Sequence, residues 1–289
     1  MTALHETVAA KPRTTSHTPG RKTAGRWIRF AIVLVITAIV LVPVAVVIIL
    51  ALRPAVNSSS HAFITFANLS SIFHTTGTLT WLRNSLEVTL ATVVVSVAVA
   101  APAGYVLSRG RSKAVSGYSL LLFIVQSLPV ITAVIPLFIL FAKLHLVDSL
   151  LGLGIIYVGV SMSVATWMMA AYMDSIPVSL EQAAWIDGAS VFTGFYRIVL
   201  RNSLPGILST AIFTYLVSWN DYLVAIVFIR SETNYTLPLG LESFFQQNVT
   251  DWGDVMAVAV VMMAPPIIVF AFLNRYFSLG GIGGALAGQ

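Results

Sequence analysis

Two acidic residues, Glu181 and Asp187, stand six positions apart in the stretch EQAAWIDGAS, between long apolar runs of the chain. A third, Asp221, lies inside an apolar run, in the sequence Trp219, Asn220, Asp221, Tyr222. Paired carboxylates can perform acid–base chemistry or hold a cation, but no histidine stands near these at a metal-ligand spacing. The five histidines (His5, His17, His61, His74 and His145) are scattered, and the absence of cysteine rules out a disulfide, a thiolate metal site and a thiol nucleophile. The chain also lacks a G-x-x-x-x-G-K-[ST] phosphate loop and an H-E-x-x-H pair. No catalytic constellation is left, so neither an enzyme nor a cofactor of this chain's own is expected. Recognition remains. Aromatic faces beside amide and carboxylate groups, as in Trp219, Asn220, Asp221 and Tyr222, suit the apolar side and the hydroxyls of a sugar ring.

The elements that must position these residues are set by composition. Of 289 residues, 57% are hydrophobic and 9% charged, against about 25% charged in ordinary globular domains. The chain therefore reads as an integral membrane protein, all-α and polytopic. Its net charge of +5 comes from short clusters beside apolar runs, a pattern of membrane orientation that excludes nucleic acid as partner. The run 28–52 is too long for a signal-peptide core of about 7 to 15 residues and fits a span of about 20. Further spans are predicted at 85–107, 118–141, 150–173, 206–229 and 255–277. Twelve basic residues then fall on one side (Lys11, Arg13, Arg21, Lys22, Arg26, Arg29, Arg109, Arg111, Lys113, Arg197, Arg201, Arg275) and four on the other (Arg53, Arg83, Lys143, Arg230). The positive-inside rule makes this a six-span helix bundle with both termini cytoplasmic. Residues 1–27 read as a flexible basic tail, 28–277 as the membrane domain, and 278–289 as a glycine-rich tail. Pro43, Pro102, Pro129, Pro136, Pro265 and Pro266 predict kinks within spans.

In this frame Asp221 sits at membrane depth, where a charge costs roughly 2.5 to 3.5 kcal/mol unless it meets a partner or water. It is expected to face the bundle interior, either on a translocation pathway or paired with a neighbouring helix. Glu87 is expected at the outer interface. The segment 174–204 leaves the membrane for longer than the 2 to 8 residues usual between packed helices, which predicts structure of its own. Ser179 and Gln182 have capping-box spacing for a helix from about Leu180 to Ile186, and Gly188 can close it. Ser190 can cap a second helix bearing Phe192, Phe195, Tyr196 and Ile198. The result is a helix-turn-helix knob with a small face, Ala183 and Ala184, suited to close approach by another protein.

That loop, EQAAWIDGAS followed by VFTGFYRIVLRNSLPG, resembles the EAA loop of inner-membrane permease subunits of ATP-binding-cassette importers. RNSLEVTLATVV, AGYVLSRGR, IPLFILFAKLHLVDSLLGL, WNDYLVAIVFI, TLPLGL, WGDVMAVAVVMMAPP and NRYFSLGGIGGALAG follow the order of the carbohydrate-uptake group. Within it the chain is similar to the six-span maltose-transporter permease, from about residue 28 to its end. The resemblance implies a coupling helix that docks on a separate ATPase, and assigns Glu181, Gln182, Ala183, Ala184, Asp187, Gly188 and Ala189 to that contact. It implies as partners a cytoplasmic ATPase dimer that binds the ATP, a second permease subunit, an extracytoplasmic substrate-binding protein facing the outer loop 230–254, and a sugar substrate. The tail is implied to touch the ATPase pair. Three positions depart from the family pattern: Gln182 replaces the acidic residue of the triplet, Arg201 the proline after I-x-L, and SMSVATW lacks a proline common in the fourth span. The competing reading is an ion-coupled secondary transporter or channel, for which Asp221 is the one intramembrane charge available. The Asn-x-Ser/Thr matches at Asn57, Asn68, Asn234 and Asn248 fall on the outer side and are too common a pattern to mark glycosylation.

Overall fold

A computed structural model describes residues 20–54, 64–246 and 251–280. The expectations for the N-terminal tail before residue 20, for the last nine residues, and for His5, His17, His61, Asn57 and Asn248 lie outside the described residues. The described secondary structure is helical throughout. In chain order the helices are α1 (Gly20–Ala51), α2 (Ala67–Thr75), α3 (Thr78–Arg109), α4 (Lys113–Ser127), α5 (Val130–Lys143), α6 (Leu150–Asp174) and α7 (Ser179–Ile186). They continue with α8 (Val191–Gly194), a π turn at Phe195–Val199, α9 (Leu200–Asn202), α10 (Leu204–Trp219), α11 (Leu223–Phe228), α12 (Leu237–Ser243) and α13 (Trp252–Gly280). The chain divides into two compact units, one up to Val46 and one from Val47. The first is, in its described part, most of α1, a helix whose side chains between Trp27 and Val42 are exposed, as a lipid-facing span requires.

The second unit is built on the pair α3 and α6. They run parallel: Val88 lies near Gly154, Ser96 and Ser161 share a hydrogen bond of 3.0 Å, and Ser108 donates to Asp174 at 2.5 Å. Small residues let the backbones approach. A Cβ added to Gly104 would stand 2.7 Å from the Met169 Cβ and 2.9 Å from the Ala170 amide nitrogen, the close packing that drives helix association where lipid removes the hydrophobic force. Helix α10 packs on both with the opposite direction, from Gly206 against Tyr172 at its start to the residues beyond Trp219, where Asp221 meets Tyr157.

Among the described residues, four helical stretches are long and apolar enough to cross a membrane: Gly25–Ala51, Thr78–Arg109, Leu150–Asp174 and Trp252–Leu273. They match the first, second, fourth and sixth expected spans. The third, 118–141, is not one helix; α4 and α5 meet at 97°. Pro129 stands at the bend: its ring disfavours helical geometry at the preceding residue, and Leu128 sits at φ −79°, ψ 125°. The fifth, 206–229, is interrupted after Trp219 and resumes as α11. Pro43, Pro102, Pro136, Pro265 and Pro266 all lie inside continuous helices, so of the six prolines only Pro129 stands at a break.

Candidate functional site

The loop after α6 folds as two short helical pieces. Helix α7 starts at Ser179, but the expected capping box is not formed: the N-cap is Val178, without a side-chain hydrogen bond. Pro177 immediately before it leaves no N–H to satisfy, and the Glu181 and Gln182 amides bond back to the Val178 carbonyl. The far end agrees with the sequence reading. Gly188 is at φ +85°, its N–H reaches the Trp185 carbonyl at 3.0 Å, and the Ala189 N–H reaches Ala184 at 2.9 Å, the paired bonds of a Schellman ending. Ser190 then caps α8, accepting from the Thr193 N–H at 3.2 Å.

Of the residues assigned to this loop, Gln182, Ala183, Asp187 and Gly188 are exposed, and Ala184 and Ala189 are half-buried. Beside them stand apolar side chains with no cover: Ile186 is 86% exposed and Phe192 70%. Glu181 behaves differently. It is fully buried, with Oε1 accepting from the Arg109 Nε at 2.8 Å and Oε2 from the Tyr105 hydroxyl at 2.8 Å. Arg109 also donates through Nη2 to the Ile176 carbonyl and through Nη1 to Ser108 Oγ, both at 3.0 Å. Sequence reasoning singled out neither Tyr105 nor Arg109 as a partner of this loop. The signal was Tyr-x-x-x-Arg in AGYVLSRGR, two polar tips one turn apart on one face of a helix end.

The second group of expected residues does not converge on one surface. Trp219 is buried, stacked on Tyr215 with ring centroids 5.6 Å apart, and its indole N–H donates to the Met262 carbonyl at 3.1 Å. Asn220 is exposed and donates back to Leu216. Asp221 accepts from the Tyr157 hydroxyl at 2.9 Å and from the amides of Val224 and Ala225 at 3.2 and 3.1 Å. Its carboxylate thus caps the freed N–H groups of α11, which is how the chain tolerates a broken helix here. Tyr222 packs against the cluster of Phe141, Phe228 and Leu239. Asp221 and Tyr157 do line a cavity of about 260 Å³, with Val130, Ile131 and Val160. A neighbouring one of about 370 Å³, reaching Gln126 and Phe141, shares Val130 and Val160 with it. Both open beside the bend at Pro129.

At the end of α3 and α6 away from Arg109, the segment 230–246 tucks inward. Asn84 donates to the Thr233 and Tyr235 carbonyls, and Ser85 Oγ accepts the Leu237 N–H at 2.7 Å. Trp81 lies against Gly240, where an added Cβ would come within 2.2 Å of the indole. Asp148 is the clasp of this segment: its carboxylate accepts from the amides of Arg230 and Ser231 and from the Ser231 hydroxyl, and its carbonyl takes the Asn234 amide at 2.7 Å. Partial burial alone would raise the Asp148 pKa, but the hydrogen bonds from Ser231, Arg230 and Asn234 outweigh it and bring it down to about 2. Glu87 pairs with Arg83 at 2.6 Å on the exposed surface of α3. Asn68 is buried and donates to the Ala51 and Arg53 carbonyls, and Asn234 is bound to Asp148; neither amide is offered outward.

Several apolar helices long enough to cross a membrane, with a structured loop between α6 and α10, make this a multi-pass membrane protein. Residues 96–279 match the family of binding-protein-dependent transport system inner membrane components, and the chain belongs to it. It is a multi-pass permease subunit of the inner membrane. The chain is 33% identical over 208 residues to the inner membrane ABC transporter permease protein YcjP of Escherichia coli, covering 72% of this chain and 74% of that one. It is 30% identical over 226 residues to the arabinooligosaccharides transport system permease protein AraQ of Halalkalibacterium halodurans, covering 78% and 80%. Its fold is that of a chain in the crystal structure of a bacterial ABC transporter involved in the import of the acidic polysaccharide alginate: TM-score 0.74, 23% identity, covering 91% of this chain and all of that chain.

Proposed function

We propose that this chain forms half of the translocation pathway of an ATP-driven importer for a sugar or sugar derivative. A separate cytoplasmic ATPase dimer docks on the α7–α8 knob. The observation that carries this reading is the knob itself: α7, pinned on one side by Glu181, and α8 after it, which together with the turn between them leave Gln182, Ala183, Ile186, Asp187 and Phe192 uncovered. An exposed apolar patch rimmed by polar groups is what a docking surface requires. The bent pair α4 and α5 makes one span and α10 with α11 another, so that six spans with both termini inside remain the topology the basic residues favour. The clasped segment 230–246 then lies outside, where a substrate-binding protein delivers its ligand. A second permease supplies the other half of the pathway. The cavities at Asp221 and Gln126 lie on this chain's side of it, with Asp221 serving first as the cap of α11. The substrate class is supported by the sugars named for AraQ and for the alginate importer.

Affinity purification of the tagged chain from its native membrane tests the assembly. Recovery of an ATPase pair and one further permease, with ATP turnover raised by binding protein plus sugar, is the expected result. A chain purified alone, and active in ion-driven uptake without any ATPase, contradicts it and returns the reading to a secondary transporter.

A further inference from the structure

We propose that Arg109 and Glu181 form a charge-locked joint that makes α7 and the cytoplasmic end of α3 one moving body, so that a force received by the knob is delivered to α3. This deepens the reading of the knob as the ATPase contact and rests on it. In an otherwise outward-facing helix, Glu181 alone is wholly buried, and both of its oxygens are held from α3, by Arg109 and by Tyr105 one turn earlier. Arg109 holds the chain before α7 as well, through the Ile176 carbonyl, and Ser108 donates to Asp174 at the end of α6. One turn of α3 therefore grips the segment 174–181 at three places. The Tyr105 ring also packs on Phe195 in the π turn, with centroids 4.9 Å apart, so the second half of the knob bears on the same turn of α3.

A charged pair is an odd choice if the aim were only to hold the loop down, since apolar side chains of similar size hold as well or better in a buried site. What a buried carboxylate held through both oxygens, one by Arg109 and one by Tyr105, adds is a single allowed geometry, because any slip leaves an unpaired charge in a low-dielectric site. A joint of that kind transmits displacement without play. Of the ion pairs among the described residues, Arg83–Glu87 is exposed and lies within one helix, while Arg109–Glu181 is buried and joins two. Arg109 and Glu181 act as positioning residues: neither needs to touch the ATPase.

The test uses the full transporter in lipid vesicles, with uptake and ATP hydrolysis measured together. R109Q and E181Q are expected to assemble with the ATPase but to lower sugar taken up per ATP by at least about tenfold, the factor set by loss of a charge-assisted hydrogen bond. The exchange R109E/E181R, which restores the ion pair but not the bonds to the Ile176 carbonyl and from Tyr105, is expected to recover part of that ratio. Less assembled protein, the effect of a merely structural role, would lower both rates and leave their ratio unchanged. Equal ratios in wild type and both single variants overturn the joint. Should the single variants fail to assemble, paired spin labels at V106C and S179C, in a chain that has no cysteine of its own, report the joint directly. A distance that stays constant through the ATP cycle supports it, and one that changes overturns it. If the unaltered chain binds no ATPase, the coupling reading fails and takes the joint with it; if it couples normally and only the variants match it, the joint fails alone.

Discussion

Gly188 holds a backbone conformation that costs an L side chain about 1–2 kcal/mol, and a Cβ there would meet nothing within 4 Å. A substitution therefore strains the turn between α7 and α8 without any clash. Gly188→Val is expected to leave the protein inserted while uptake falls against ATP hydrolysis in vesicles; Gly188→Asn, which tolerates the left-handed region, is expected to retain more of it. On the other side of the membrane domain, Asp148 makes a pH-dependent contribution. Its pKa of about 2 lies below the ordinary 3.8, so the stability it supplies is complete above pH 4 and is lost as pH falls toward 2. The melting temperature of the wild type is expected to exceed that of Asp148→Asn at neutral pH, and the gap to close between pH 4 and 2. Gly188 was legible because a glycine at a helix end announces its backbone. Glu181 was legible as a residue of the knob but not as its anchor, since one-letter spacing within a loop does not reveal a partner 72 positions away. Asp148 carried no local signal, because its partners, the Arg230 and Ser231 amides and the Ser231 and Asn234 side chains, lie more than 80 positions away.

Among the described elements, the most extensive packing lies between α3 and α6, and small residues bring the two backbones together. Gly104→Ala places a methyl group against the Ala170 backbone and is expected to cost about 1–3 kcal/mol. Gly154→Ala meets the Val88 side chain at an ordinary 3.5 Å and is expected to be near neutral; thermal unfolding in detergent compares the two. Hydropathy located α3, α6 and α13 because twenty or more apolar residues in a row have few other uses. It could not show that residues 118–141 bend through 97°, since Pro129 reads like the five prolines that stay within helices. What separates it is that Leu128 before it is extended, whereas the other five prolines lie inside continuous helices. In the same way Asp221 and Asn220 looked like ligand-binding groups; the chain uses Asp221 to cap the helix break, beside a cavity that it also lines. A carboxylate in an apolar run announces a need for partners, and sequence does not say whether those partners are a ligand or a backbone.

For the whole molecule, the physical logic joins two ends of one pair of parallel helices. At one end a small knob stands on α3 through Arg109, with apolar residues uncovered; at the other, Asn84, Ser85 and Asp148 hold the segment 230–246 against the same helix and its neighbour. Between them lie the break at Asp221 and the bend at Pro129, where the cavities are found. Such a body fits the proposed function, in which a displacement of the knob is carried along α3 past the cavities to the segment 230–246. Reconstitution of the complete transporter in sealed vesicles, with ATP enclosed and binding protein plus labelled oligosaccharide outside, tests this most directly. Accumulation that requires enclosed ATP, and that drops per ATP hydrolysed in Gly188→Val, is the result predicted. Accumulation that persists without ATP and follows an imposed ion gradient would contradict the account.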